Sequence, residues 1–199
     1  ISGIELSSNG LVCSDFDFSG HTLKLLKVLD LTLAKGITEL ILEEILAKSP
    51  NLEVLKLGGI LPQTNSTERR ISSSLCDLKG LQVLDLNNND FTTVPSCFDY
   101  DRLPELRSID LSSNRLLNLS MGFQSLNLTF LSLKNNLLGA QGVDLQHQVI
   151  QNHGHDGSRS NATNLNTMKR IFWYMPYLKQ IDLSYNLFQE VDVAICDTT

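Results

Sequence analysis

Apolar residues recur along this chain in one pattern, L-x-x-L-x-L-x-x-N-x-L, with Ile or Val standing in for Leu at some positions. The first copy reads Ile1, Ile4, Leu6, Asn9, Leu11. Leu26, Leu29, Leu31 and then Leu52, Leu55, Leu57 follow. Full copies return at Leu81, Leu84, Leu86, Asn89, Phe91 and at Leu106, Ile109, Leu111, Asn114, Leu116. Leu128, Leu131, Leu133, Asn136, Leu138 and Leu178, Ile181, Leu183, Asn186, Phe188 complete the series. Start-to-start spacings are 25, 26, 29, 25, 22 and 50 residues. Each L-x-L core predicts a short strand whose alternate side chains point inward. Repetition at this period predicts parallel strands stacked into a solenoid over a continuous leucine column. The fold class is therefore an α/β repeat solenoid, one array over residues 1–199 with about seven to eight repeats.

The asparagine falls where the chain turns after each strand. Its amide satisfies backbone groups that burial would otherwise leave unpaired. Ala34 and Ile60 occupy this position in the second and third copies. A weak ladder and an irregular turn are expected there.

The chain must return on the convex side. Ile37, Leu40, Ile41, Ile45 and Leu46 recur at helical spacing and predict an amphipathic helix over 38–48, ended by Pro50. Val94, Pro95 and Phe98 fit a short irregular return. Leu165, Met168, Ile171, Phe172 and Met175 predict a second helix over 165–175, with Trp173 packing on the convex side. Two stretches interrupt the array. Pro62 to Arg70 reads as a polar loop. The 50-residue spacing holds a polar insertion at about 139–164, rich in turn-forming residues.

Residues flanking the core leucines point the other way and build one concave face. Its central column is Glu5, Asp30, Lys56, Asp85, Asp110, Ser132 and Asp182. The outer column is Ser7, Thr32, Gly58, Asn87, Ser112, Lys134 and Ser184; the inner one is Gly3, Val28, Val54, Val83, Ser108, Phe130 and Gln180. Curved sheet faces of this kind present many side chains to one partner. Lys56, Val83, Asp85, Asn87, Asp110, Ser112, Phe130, Ser132, Lys134 and Asp182 are the candidate ligand-binding residues. The face is mostly acidic and hydroxylated, which predicts a protein partner with a complementary basic patch.

Composition sharpens this picture. The net charge is −6, against a phosphate-binding footprint. No run of 18 or more apolar residues exists, so no membrane span is expected in this segment. The opening Ile-Ser-Gly-Ile-Glu does not read as a secretory leader. Cys13, Cys76, Cys97 and Cys196 form no C-x-x-C pair; their even number permits two disulfides without requiring them. His153, His155 and Asp156 carry metal donors at a spacing too loose for zinc, and a solvated loop is expected instead. No nucleophile elbow, phosphate loop, dinucleotide fingerprint or H-E-x-x-H occurs. Repetition of Asp30, Asp85, Asp110 and Asp182 at one repeat position is structural in origin. No enzyme, metal or cofactor is expected.

Four N-x-S/T sequons begin at Asn65, Asn118, Asn127 and Asn161, none on a core position. They favour an extracellular or cell-surface location, with glycans accommodated outside the packing.

The seven copies together resemble the leucine-rich repeat superfamily over nearly the whole chain outside 139–164. That resemblance implies a horseshoe segment, with a parallel concave sheet and a mixed helical and irregular convex side. Repeats of about 25 residues with asparagine ladders, sequons and an inserted loop look most like Toll-like receptor ectodomains. Family likeness implies a microbial or protein ligand and a possible receptor dimer, in an innate-immune glycoprotein that signals. Cysteine-rich caps, a membrane span and a signalling domain are missing from this stretch, so a segment of a larger ectodomain is expected. Ser74 to Gln82 would also suit a plant-type immune repeat. The alternative is therefore an intracellular leucine-rich repeat scaffold or immune sensor array, located in the cytoplasm.

Overall fold

A computed structural model of the chain describes residues 2–5, 23–60, 73–94, 98, 102–119, 127–139 and 175–188. Seven three-residue strands follow in chain order: β1 Gly3–Glu5, β2 Val28–Asp30, β3 Val54–Lys56, β4 Val83–Asp85, β5 Ser108–Asp110, β6 Phe130–Ser132 and β7 Gln180–Asp182. They form one parallel sheet in the order β1-β2-β3-β4-β5-β6-β7. Pairing runs residue for residue, Ile4 with Leu29, Leu29 with Leu55, and so on to Leu131 with Ile181. The columns read from repeat spacing are thus columns in space. β6 pairs directly with β7, so the chain leaves the sheet after Ser132 and returns to the adjacent position at Gln180.

Parallel pairing requires a crossover between successive strands, and the described parts of these crossovers build the second layer of the solenoid. Leu52, Leu55, Leu57, Leu81, Leu84, Leu86, Leu106, Ile109 and Leu111 are essentially inaccessible to water. Burial of each such leucine contributes roughly 1.5–3 kcal/mol relative to exposure. Convex-side residues close the core, among them Leu75, Leu78, Phe91, Phe98, Leu103, Leu116 and Leu119.

In the second repeat the return is a helix, α1 Glu39–Lys48. Thr38 caps it, its hydroxyl accepting from the Ile41 N–H at 3.3 Å. Glu39 in the first turn and Lys48 in the last complement the helix dipole. The Ser49 hydroxyl donates to the Ile45 carbonyl at 2.8 Å and closes the far end ahead of Pro50. Leu42, Ile45 and Leu46 face the core. Leu40, expected on that face, is 83% exposed, and Leu42 takes its place. Counting back three and four residues from Ile45 and Leu46 gives 41 to 43, so Leu40 is out of phase with the buried stripe. Between β3 and β4 a 3-10 turn, Ser73–Asp77, carries Leu75 into the core. Residues 165–174 of the second expected helix, the polar loop from 62 to 70 and the insertion beyond Gly139 lie outside the described residues. Met175 is described and buried.

The asparagines form the expected ladder. The Asn114 amide donates to the carbonyls of Leu86, Leu111 and Ser112, and its oxygen accepts from the N–H groups of Asn89 and Phe91. Asn136 donates to Leu111, Leu133 and Lys134 and accepts from Leu116. Asn186 repeats the arrangement with Leu133, Leu183, Ser184 and Leu138. Every rung ties its own turn to the repeat before it. Asn9 lies outside the described residues.

The turn expected to be irregular where Ala34 and Ile60 replace asparagine is regular. Leu33 and Gly59 are left-handed, at φ 56° and 65°, like Asn88, Ser113, Asn135 and Tyr185 at the equivalent sites. A second ladder explains this. The Leu33 N–H donates to Gly58, Gly59 to Asn87, Asn88 to Ser112, Ser113 to Lys134 and Asn135 to Ser184, all at 2.8–2.9 Å. Backbone bonding to the next repeat therefore continues through the turns that lack their own asparagine, joined by the Asp30 carboxylate in the first and by the Asn89 amide, which reaches the Leu57 carbonyl, in the second.

Candidate binding face

On the sheet's second face the central column is not a row of free carboxylates. One oxygen of each aspartate accepts the backbone N–H two residues on: Asp30 from Thr32 at 3.0 Å, Asp85 from Asn87 at 2.9 Å, Asp110 from Ser112 at 2.8 Å, Asp182 from Ser184 at 2.9 Å. These closures are Asx-turns, and they lead the chain from the strand into the left-handed turn. The aspartate repetition is structural, as its regularity implied, yet the charge stays on the face.

Lys56 is the one cation of that column. It sits between Asp30 and Asp85 in register and bonds Asp30 at 3.1 Å. Asp30 and neighbouring acids raise the Lys56 pKa above its usual value. At Asp30 burial works to raise the carboxyl pKa, but bonds from Thr32 and Lys56 outweigh it and lower the result. Asp85 moves the other way. Burial raises it, the Asn87 N–H opposes, and the Asp110 charge on the adjacent strand raises it further. Asp182 is lowered by the hydroxyl and N–H of Ser184. Among the described residues Asp85, Asp110 and Asp182 make no ion pair.

The outer column is ordered by the same turns. The Asn87 amide bonds Asp85 at 2.6 Å and lies over Gly58, where a Cβ would come within 2.8 Å of it. Lys134 stands 5.4 Å from the centre of the Tyr185 ring, a cation–π contact. In the inner column Val28, Val54 and Val83 run side by side, half-buried, and continue through Ser108 to Phe130.

Residues 80–100 match the family model described as Leucine Rich Repeat. A solved leucine-rich repeat protein of Leptospira interrogans aligns over 86% of this chain at 21% identity, with a TM-score of 0.56. The fold is a leucine-rich repeat solenoid. The alignment takes in 34% of the Leptospira protein, so this chain spans about a third of its length. No curated protein sequence matches the chain.

Of the candidate residues, the solenoid brings Lys56, Asp85 and Asp110 into one column with Ser132 and Asp182. Val83 and Phe130 share the inner column, on strands separated by β5. Asn87, Ser112 and Lys134 follow in the turns. Ser132 is buried at 6% and offers a partner little surface. The leucine pattern did not single out Tyr185, 76% exposed, or Leu33, 50% exposed. Both occupy the left-handed position, which no residue type in the motif marks. Asn118 is exposed and Asn127 half-buried, whereas Asn65, Asn161, His153, His155 and Asp156 lie outside the described residues. Cys76 packs half-buried against the core, and the other three cysteines lie outside the described residues. No described helix is long and apolar enough to cross a membrane.

Proposed function

We propose that this solenoid is a protein-recognition module, whose concave face binds a partner presenting basic side chains. The observation that carries the reading is the register-matched column Glu5, Asp30, Lys56, Asp85, Asp110, Ser132, Asp182. Five acids share it with one lysine, beside the half-buried valines and Phe130. Leucine-rich repeat proteins are typically non-enzymatic interaction modules, and stacked repeats give them an extended concave surface. Opposite charge on the partner supplies steering and register.

The finer proposal is the recognition segment of a cell-surface receptor of the Toll-like or a related innate-immune kind, with a protein or microbial ligand and a possible receptor dimer. Its support is the four sequons and the inserted stretch between the last two strands.

The test is a double variant, Asp85→Asn with Asp110→Asn. Asparagine keeps the side-chain oxygen that closes each turn and removes only the charge. Affinity for the co-purified natural partner is expected to fall about tenfold at low salt, with a smaller loss at high salt. Unchanged affinity in a folded variant contradicts recognition by this column.

A further inference from the structure

We propose that the rim of the β6 and β7 repeats, formed by Leu137, Tyr185 and Leu187, seats an apolar side chain of the same basic partner that meets the acidic column. The proposal rests on the concave-face reading and adds a second contact outside that face.

The rim is the row of residues that directly follow the ladder position. Asp90 follows Asn89, Arg115 follows Asn114, Leu137 follows Asn136 and Leu187 follows Asn186. Backbone bonds stack the row. The Arg115 N–H donates to the Phe91 carbonyl at 2.8 Å, Leu137 to Leu116 at 3.0 Å and Leu187 to Leu138 at 2.9 Å. In the β4 and β5 repeats the row is charged, and Arg115 pairs with Asp90 at 3.3 Å. The last two described repeats break that pattern. Leu137 is 38% exposed and Leu187 50%. The next residue of each repeat, Leu138 or Phe188, is the one that packs on the core. Arg115 holds the same register without loss of the stack, so packing does not require leucine there.

Tyr185 joins these two leucines. It takes the left-handed position that Asn88, Ser113 and Asn135 hold in the three preceding repeats, and most of its surface stays in water. Singly exposed apolar residues are ordinary, but an adjacent group of them marks a contact surface.

The charges beside the rim state what covers it. Asp182, three residues before Tyr185, holds the Ser184 N–H and hydroxyl on one carboxylate oxygen, at 2.9 and 2.6 Å. Its charge meets no ion-pair partner among the described residues. The Tyr185 ring already receives a cation, since Lys134 Nζ lies 5.4 Å from its centre. The surface thus steps from a carboxylate on the concave face, through an aromatic ring that accepts cations, to two leucines. Its complement is a protein segment with a basic side chain next to an aliphatic or aromatic one.

The experiment measures two labelled peptides of equal length and charge against the full chain by fluorescence anisotropy. One alternates lysine with serine, the other lysine with phenylalanine. The phenylalanine peptide is expected to bind about tenfold more tightly. That preference persists at high salt, while binding of the serine peptide fades. Tyr185→Ser with Leu187→Ser is expected to abolish the preference and leave the serine peptide unaffected. Leu25→Ser, at a leucine 75% exposed ahead of β2, is expected to change neither affinity. Equal affinity for both peptides, no affinity for either, or a preference that survives the rim variant overturns the proposal. Sedimentation of the chain alone completes the test. A dimer that the rim variant dissolves assigns the patch to a second copy and overturns it as well. The two readings fail separately. If Asp85→Asn with Asp110→Asn leaves both affinities intact, the column reading is contradicted, and a preference that still depends on Tyr185 and Leu187 upholds the rim.

Discussion

The side-chain oxygen of Asn114 accepts the backbone N–H of Phe91 at 2.9 Å, across the junction between the β4 and β5 repeats. The same oxygen takes the Asn89 N–H, and the amide nitrogen reaches back to Leu86. One buried side chain thus satisfies groups on two successive turns. Asn114→Ala takes the buried acceptor from the N–H groups of Asn89 and Phe91, while the Leu86 and Leu111 carbonyls keep the amides of Asn89 and Asn136. At about 1–3 kcal/mol for such an unsatisfied group, a loss of roughly 3 kcal/mol is expected in chemical denaturation. A loss below about 1 kcal/mol would show that water replaces the amide and that the ladder is not a main source of cohesion.

Gly139 joins the β6 and β7 repeats by another route. It is left-handed, at φ 84°, and a Cβ there would lie 2.9 Å from the Phe188 backbone nitrogen and Cα. Backbone cannot yield as a side-chain tip does. Gly139→Ala is expected to cost more than the roughly 1 kcal/mol typical of a strained turn. Amides of β7 should lose hydrogen-exchange protection before those of β4. Equal loss across the sheet would place the strain elsewhere.

Much of this was legible in the leucines, because a period of about 25 residues carries both the strand and its register. The columns on the concave face followed from alternation alone, and every one of the six strand pairings keeps them in line. Other features were hidden for physical reasons. Three apolar residues in a row, Leu40-Ile41-Leu42, fit a buried stripe in more than one phase, and only packing against the core selects Leu42. The left-handed turn is held by bonds to the next repeat, so residues as unlike as Leu33, Gly59 and Ser113 occupy it without any local signal. The Asx-turn did leave a trace, in the recurring Asp-Leu followed by Thr, Asn or Ser.

That phase difference is measurable in α1. Leu42→Ala is expected to lose about 2–5 kcal/mol as a buried cavity mutation, whereas Leu40→Ala changes stability by less than about 0.5 kcal/mol. Similar losses at both positions would mean that Leu40 is covered in solution.

Lys56 links the central column to pH. Asp30 has its pKa lowered below its ordinary 3.8, so its contribution is present above that value and fades as pH falls through the folded pKa. Lys56 is raised above 10.5, so its contribution is present below that value and is lost as pH rises through the folded pKa. Asp85 has the opposite sign to Asp30. Its raised pKa costs stability as pH climbs from 3.8 through the folded value. Lys56→Met removes a partner from Asp30 and a compensating charge from Asp85. At neutral pH a loss of about 0.5–1 kcal/mol is expected, given that the pair is partly exposed. It should vanish in acid once both carboxyls are protonated, and the Asp85 carboxyl should titrate higher still in NMR. A loss that persists unchanged in acid would assign Lys56 a packing role.

Whether the concave face is where this solenoid meets its partner is decided most directly by site-specific photocrosslinking in the native setting. One photoreactive residue replaces Ser112, in the outer column; a second replaces Glu44, exposed on α1 of the convex side. The account predicts a discrete covalent adduct from position 112 and none from position 44, with the adduct lost in the Asp85→Asn, Asp110→Asn background. An adduct from position 44 alone, or one at 112 indifferent to those charges, would contradict it.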